Sequence, residues 1–231
     1  MNILECKGLT KKFGPVTALD GMSIDIQPGR IVGLLGPNGS GKTTFIKLAA
    51  GLLVPTAGEI LIDGEAPGED SNEIVSYLPE RPSLPQWMTV KGLQDFYEDF
   101  FEDFRRNVSG EMLDRLEISP KQKYRQLSKG TREKVQLILT MSRQAKLYLL
   151  DEPIGGVDPA ARDYILDTIL RNYDPEAAVI LSTHLIADIE KVLDDVIFLQ
   201  NGRVSLAGPA DEIREQKGMS IDGLFREVFR C

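Results

Sequence analysis

The sequence predicts an α/β fold with a mostly parallel sheet, an N-terminal antiparallel β-subdomain and a helical insertion subdomain. Three observations carry this. Apolar runs of strand length, "IVGLLG", "KLYLLDEP" and "AAVILSTH", alternate with segments of helical periodicity, the pattern of strands joined by crossover helices. The first thirty residues instead alternate apolar and polar side chains and end at turn signals. From about Arg81 to Arg143 strand patterns give way to helical spacing.

In chain order, "ILECKGLTKKFG" and "VTALDGMSIDIQPG" end at Gly14 and at Pro28-Gly29 and read as antiparallel strands. "IVGLLG" is a buried strand, and a helical pattern begins at about Lys42. "GEILIDGE" is a short strand, and "IVSYLP" follows a loop rich in Gly, Glu and Asp. "VKGLQDFYEDFFEDFRR" carries Phe96, Tyr97, Phe100, Phe101 and Phe104 at helical spacing with acidic residues between them. It predicts a helix that buries one face rather than an aromatic ligand box. "VSGEMLDRLEI" is a further short helix starting near Ser109. A helix from about Pro159 to Tyr173 separates the last two apolar strands. "DDVIFLQNGRVSLAG" is a hairpin turning at Asn201-Gly202, and Pro209 to Cys231 is amphipathic helix. The expected organisation is one unit. Residues 1–80 and 144–208 form the α/β core with its antiparallel subdomain, 81–143 the helical subdomain, and 209–231 C-terminal helices.

Composition narrows the function classes. A formal net charge of −8 argues against nucleic acid as a partner, because that binding rests on clustered positive charge. Cys6 and Cys231 have no metal or disulfide spacing, which suggests a reducing, cytosolic setting. The N-terminal residues lack a secretory pattern, and no apolar run approaches the roughly 20 residues that span a bilayer. Work at a membrane would then go through a partner.

"GPNGSGKTT" fits G-x-x-x-x-G-K-[ST] with Gly36, Gly41, Lys42 and Thr43, directly after a strand and opening a helix. Glycines let backbone N–H groups converge on phosphate oxygens, and the helix N-terminus adds partial positive charge. Lys42 can reach the β- and γ-phosphates, and the Thr43 hydroxyl can ligate Mg²⁺. This makes the core a P-loop NTPase that binds a nucleoside triphosphate. The apolar run "LYLLDEP" puts Asp151 at a strand's carboxyl end, able to hold Mg²⁺ directly or through water. Glu152 beside it can polarise an attacking water.

Taken in order, the motifs resemble the ATP-binding cassette ATPases, the nucleotide-binding subunits of ABC transporters. "GPNGSGKTT" (Gly36, Pro37, Asn38, Gly39, Ser40, Gly41, Lys42, Thr43, Thr44) looks like Walker A. "LYLLDEP" looks like Walker B with the catalytic glutamate, Glu152. "LSKGT", with Ser128, Lys129 and Gly130, looks like the signature motif. "GGVD", ending at Asp158, resembles the D-loop, and "STH" resembles the switch. Phe13 stands where the family places an adenine-stacking aromatic.

The resemblance implies two subunits packed head to tail, with each ATP clamped between the Walker A of one and the signature of the other. Ser128 and the Gly130 N–H would contact the γ-phosphate in trans. Glu152 would activate water, and His184, the chain's single histidine, would hydrogen-bond the γ-phosphate. The implied cofactors are ATP and Mg²⁺. The implied partners are separate transmembrane permease subunits and a second ATP-binding subunit, identical or related. The place is the cytoplasmic, inner face of the cell membrane.

Two positions depart from the family pattern. "YLPERP" has Glu80 where glutamine is usual, a carboxylate that can ligate Mg²⁺ or position water. Lys129 replaces the signature's first glycine, and it either strengthens the clamp or points to solvent. Both variants resemble the branch serving drug, antibiotic-peptide and sodium exporters, and "DFYEDFFEDF" resembles the bacterial antibiotic-response group. The six basic residues of "KQKYRQLSKGTREK" overlap the signature and read as a phosphate-facing or partner-facing surface. A soluble ABC ATPase of DNA repair or translation is the main alternative. It would bring coiled-coil or zinc insertions or a second cassette. A small-molecule phosphotransferase would not need "LSKGT" and "GGVD". A non-hydrolysing cassette would not need Lys42, Asp151, Glu152 and His184 together.

Overall fold

The computed structural model describes residues 2–155 and 159–229. The chain opens with β1 (Leu4–Phe13) and β2 (Val16–Ile26), then β3 (Ile31–Leu35), α1 (Lys42–Ala49) and β4 (Ala57–Ile62). The short α2 (Glu69–Ile74) leads into β5 (Val75–Leu78). The insertion holds α3 (Val90–Phe100), α4 (Arg106–Arg115) and α5 (Lys129–Met141). Next come β6 (Leu147–Asp151), α6 (Pro159–Asn172), β7 (Ala178–Thr183) and the one-turn α7 (Ile186–Ile189). β8 (Asp195–Gln200), β9 (Arg203–Pro209), α8 (Ala210–Lys217) and α9 (Ile221–Phe229) complete the chain.

Two sheets form. Antiparallel β2-β1-β4 makes the N-terminal sheet, and β5-β6-β7-β3-β8-β9 makes the larger one, parallel except for β9. The central strands are apolar on both faces because both faces are covered. Side-chain alternation splits each strand between two cores. Val32, Leu34, Leu147, Leu149, Ala178 and Ile180 pack with Phe45 and Leu48 of α1 and with Leu4, Cys6 and Leu9 of β1. Leu35, Tyr148, Leu150, Val179 and Leu181 pack with Ile165 and Ile169 of α6 and with the C-terminal helices. A third core lies inside the helical insertion. α5 serves two of them, giving Val135, Ile138 and Leu139 to the insertion and Leu137 and Met141 to the sheet.

The predicted hairpin turn is present, with φ of +50° at Asn201 and +77° at Gly202. The helix predicted over 90–106 breaks instead after Phe100. Tyr97, Phe101 and Phe104 pack inward, with ring centroids 5.4 and 5.5 Å from Tyr97, whereas Phe96 and Phe100 meet each other and Phe100 is exposed. Long-range bonds stop the helix. Arg143 takes Asp103, and the Arg105 N–H donates to the Ser142 carbonyl at 2.8 Å. α4 therefore starts at Arg106, before the predicted Ser109. The acidic loop before β5 contains α2, closed at its start by Ser71 bonding back to Gly68. Gly218, at φ +65°, divides the C-terminal segment into two helices.

The carboxyl ends of β3, β5, β6 and β7 share one edge of the sheet, since all four run parallel. Loops 36–41 and 79–89, Glu152 and His184 leave from that edge, where open α/β sheets bind ligands.

Candidate nucleotide site

Residues 36–41 curl between β3 and α1. Gly36 has no room for a side chain, because a Cβ there would sit 2.5 Å from both the Leu199 carbonyl and Ser40 Oγ. Gly41 adopts φ +112°, and a Cβ would come within 2.6 Å of the Ala18 carbonyl. The loop is anchored from outside by the Gly202 N–H, which donates to the Ser40 carbonyl at 2.9 Å. Lys42 is buried beneath it. Its Nζ donates to the carbonyls of Gly36 at 2.8 Å and Pro37 at 3.3 Å, and lies 3.4 Å from Glu152 Oε1.

Asp151 ends β6 and is 1% exposed. Its Oδ1 accepts from Ser182 Oγ at 2.7 Å and from Thr43 Oγ1 at 3.1 Å. Its Oδ2 is buried with no hydrogen-bond partner among the described residues. Burial pushes this carboxyl above its ordinary value; Glu80 and Glu152 push the same way, against the Ser182 and Thr43 hydroxyls. A cation at Oδ2 would answer both the orphaned oxygen and the excess negative charge. The residues fit Mg²⁺, a hard ion that takes one or two protein oxygens and completes its shell with phosphates and water. No group of three or more His, Cys, Asp or Glu side chains placed to hold a metal ion occurs among the described residues.

Glu152 follows in a left-handed conformation, φ +50°, unusual for a residue with a side chain. That turn aims its carboxylate back over the sheet edge, with Oε1 toward Lys42 and Oε2 3.1 Å from His184 Nδ1. Its N–H points at Ser182, 3.0 Å from Oγ and 3.1 Å from the carbonyl oxygen.

A cleft of about 940 Å³ lies above these groups. Asn38, Gly39, Gly41, Lys42, Thr43, Thr44, Glu80, Lys129, Glu152 and His184 all line it. Gly36, Pro37 and Ser40 shape the loop from behind, and Asp151 lies beneath it. Phe13 is 46% exposed outside the lining, with Lys11 Nζ 5.1 Å above its ring; its strand partner Val16 forms the adjacent rim.

Ser128 caps α5, its Oγ accepting from the Thr131 N–H at 3.1 Å. Ser128 and Gly130 are exposed and stand outside the lining. Lys129 reaches toward Glu133 at 3.9 Å from the cleft's outer wall, in its own chain. Asp158 lies outside the described residues. Arg81 and Arg132 also line the cleft, and the sequence singled out neither; Ser182 lies within "STH", where the sequence assigned a role to His184 alone.

The family model described as ABC transporter matches residues 19–155. This chain belongs to the ABC transporter family. The cassette is an ATP-binding, ATP-hydrolysing subunit of that family. It is 31% identical to the ABC-type transporter ATP-binding protein EcsA of Bacillus subtilis (strain 168), over 99% of this chain and 97% of that one. A solved ATP-binding subunit of an ABC transporter superposes with a TM-score of 0.88 at 30% identity, covering 98% of this cassette and 99% of that chain. A dimeric ATP-binding cassette in a post-hydrolysis state, bound to ADP and Pi, shares the fold with a TM-score of 0.77 at 23% identity, covering 89% and 98%. Among the described residues of the cassette, no helix is long and apolar enough to cross a membrane.

Proposed function

We propose that this subunit drives export by closing with a second ATP-binding subunit over ATP and reopening after hydrolysis. The observation that carries the reading is the linked set Lys42–Glu152–His184 above an Asp151 oxygen that has no partner among the described residues. Phosphate oxygens compete with Glu152 for Lys42, so ATP binding draws the ammonium away and leaves the carboxylate to face water. Glu152 then takes a proton from a water attacking the γ-phosphorus as the bond to the β-phosphate oxygen breaks, yielding ADP and phosphate. His184, within hydrogen-bond reach of Glu152, holds the carboxylate in place and senses the γ-phosphate. Mg²⁺, held by Thr43 and Asp151 with Glu80 nearby, would neutralise charge on the phosphates.

Phe13 would stack on adenine at the cleft rim. Ser128, Lys129 and Gly130 of one subunit would clamp the ATP of the other, with Asp158 between them. The exposed N-terminus of α5 supports that assignment. The helical insertion, residues 81–143, and the Glu80 loop would pass the motion to separate membrane-spanning subunits at the inner face of the cell membrane. The export direction rests on Glu80 and Lys129, the two positions that resemble the exporter branch.

The test is the light-scattering mass of Glu152→Gln with and without Mg-ATP. Hydrolysis stops while binding persists, so a nucleotide-dependent shift from monomer to dimer is expected. A monomer that binds ATP but never pairs would overturn closure between copies of this chain. Failure to bind ATP would overturn the site itself.

A further inference from the structure

Ser182 is a hydroxyl at 0% exposure near the end of an apolar strand. Leaving a buried hydroxyl unbonded costs free energy, so most buried hydroxyls have a hydrogen-bond partner. Here the donor and the acceptor functions are both used, and both by the reacting edge. Ser182 and Asp151 are register partners on adjacent parallel strands, so their side chains leave the same face of the sheet. Ser182 Oγ donates to Asp151 Oδ1 at 2.7 Å and accepts from the Glu152 N–H at 3.0 Å.

Two consequences follow from that placement. With Oδ1 engaged, the Asp151 carboxylate cannot rotate without breaking the Ser182 bond, and Oδ2 is the oxygen left bare. The Glu152 N–H, held between Oγ and the carbonyl oxygen of one residue, also supports the left-handed turn that carries the Glu152 carboxylate to Lys42 and His184. Thr43 cannot replace Ser182 in this. It touches Asp151 at 3.1 Å but, among the described residues, makes no hydrogen bond to Glu152, and its own oxygen would be the second cation donor.

We propose that Ser182 is a positioning residue that aims Asp151 Oδ2 at the cation and locks the backbone of Glu152, so that one hydroxyl sets both carboxylates. The proposal rests on Asp151 being the cation ligand. Mutating a residue that orients a metal ligand typically costs about 10- to 100-fold in metal affinity or activity.

The experiment measures Mn²⁺ affinity of the ATP complex by the electron paramagnetic resonance signal of free Mn²⁺, alongside metal-free ATP affinity by calorimetry. It compares the wild type with Ser182→Ala, Ser182→Cys and Ser182→Thr. The expected result for Ser182→Ala is a Mn²⁺ affinity about 10-fold or more weaker. Metal-free ATP affinity stays unchanged, and kcat falls while KM for ATP does not rise. Ser182→Cys conserves shape with a weak donor and should resemble Ser182→Ala, which keeps the test open if the smaller residue unfolds the protein. Ser182→Thr retains the hydroxyl and should recover Mn²⁺ affinity. Unchanged Mn²⁺ affinity in both the Ala and Cys variants, beside a wild type that needs the metal, overturns the role of Ser182 alone. A wild type whose ATP binding ignores Mn²⁺ overturns Asp151 as a cation ligand, and this proposal with it.

Discussion

Replacing Arg143 by methionine would withdraw one guanidinium from four groups. Nη1 donates to the Val75 carbonyl at 2.6 Å, and Nη2 to those of Asn72 and Glu73 at 3.1 and 2.6 Å. Nε and Nη2 hold the two Asp103 oxygens at 2.8 and 3.2 Å. The Arg143 side chain is 3% exposed and that of Asp103 22%. Removing one partner of a buried ion pair costs about 3–5 kcal/mol. Water can reach Asp103, which places the loss near the lower end, about 3 kcal/mol.

The guanidinium carbon also stacks on the Phe101 ring, 3.9 Å from its centroid, and that contact goes too, while methionine fills much of the volume of the stem so that a cavity adds little. In a chain of this size the melting temperature should fall by roughly 6–12 °C in a calorimetric scan. Adding Asp103→Asn removes the stranded carboxylate and should restore about 1 kcal/mol or more. A variant melting within about 2 °C of the wild type, or one that Asp103→Asn makes still less stable, would refute this account.

Asp151→Asn should abolish hydrolysis yet stabilise the protein without Mg²⁺. The Asp151 carboxyl is raised above 3.8, so the folded state holds its proton more tightly than the unfolded chain. That contribution is complete below the unfolded value and is lost as pH rises through the folded one. The melting advantage of Asp151→Asn should therefore grow from pH 4 to pH 7, and an advantage that shrinks over that range would sink the assignment. Gly41→Ala forces a Cβ to 2.6 Å from the Ala18 carbonyl at φ +112°. At about 1–3 kcal/mol of strain in the phosphate loop, ATP affinity measured by calorimetry should drop about 10-fold or more; wild-type affinity would show that the loop's shape is not what binds.

What could be read from residues alone was set by local stereochemistry. The phosphate loop declares itself because a backbone packed this closely admits only glycine at positions such as 36 and 41. Asn201-Gly202 declares its turn for the same reason, since both residues sit at positive φ. The buried strands were legible because a covered sheet needs unbroken apolar runs. α2 was not, because six residues are too few to form a helix alone. Ser71 closes one end of it, and Arg143 takes its Asn72 and Glu73 carbonyls from 71 and 70 residues away. The break after Phe100 was hidden likewise, since the aromatic spacing suits a continuous helix and the partners that interrupt it, among them Ser142, Arg143 and Gln144, lie about forty residues away.

Sequence by itself determined which side chains can do the chemistry: a lysine and a threonine opening a helix, adjacent carboxylates ending a strand, and one histidine ending another. Tertiary structure alone decided how they bear on one another. Asp151 meets Ser182 from 31 residues away and Thr43 from 108, and a folded sheet is needed to bring those groups within hydrogen-bond distance. The physical reason is range. Backbone preferences act over a few residues, whereas the orientation of a buried carboxylate is set by whatever the packed strands place beside it.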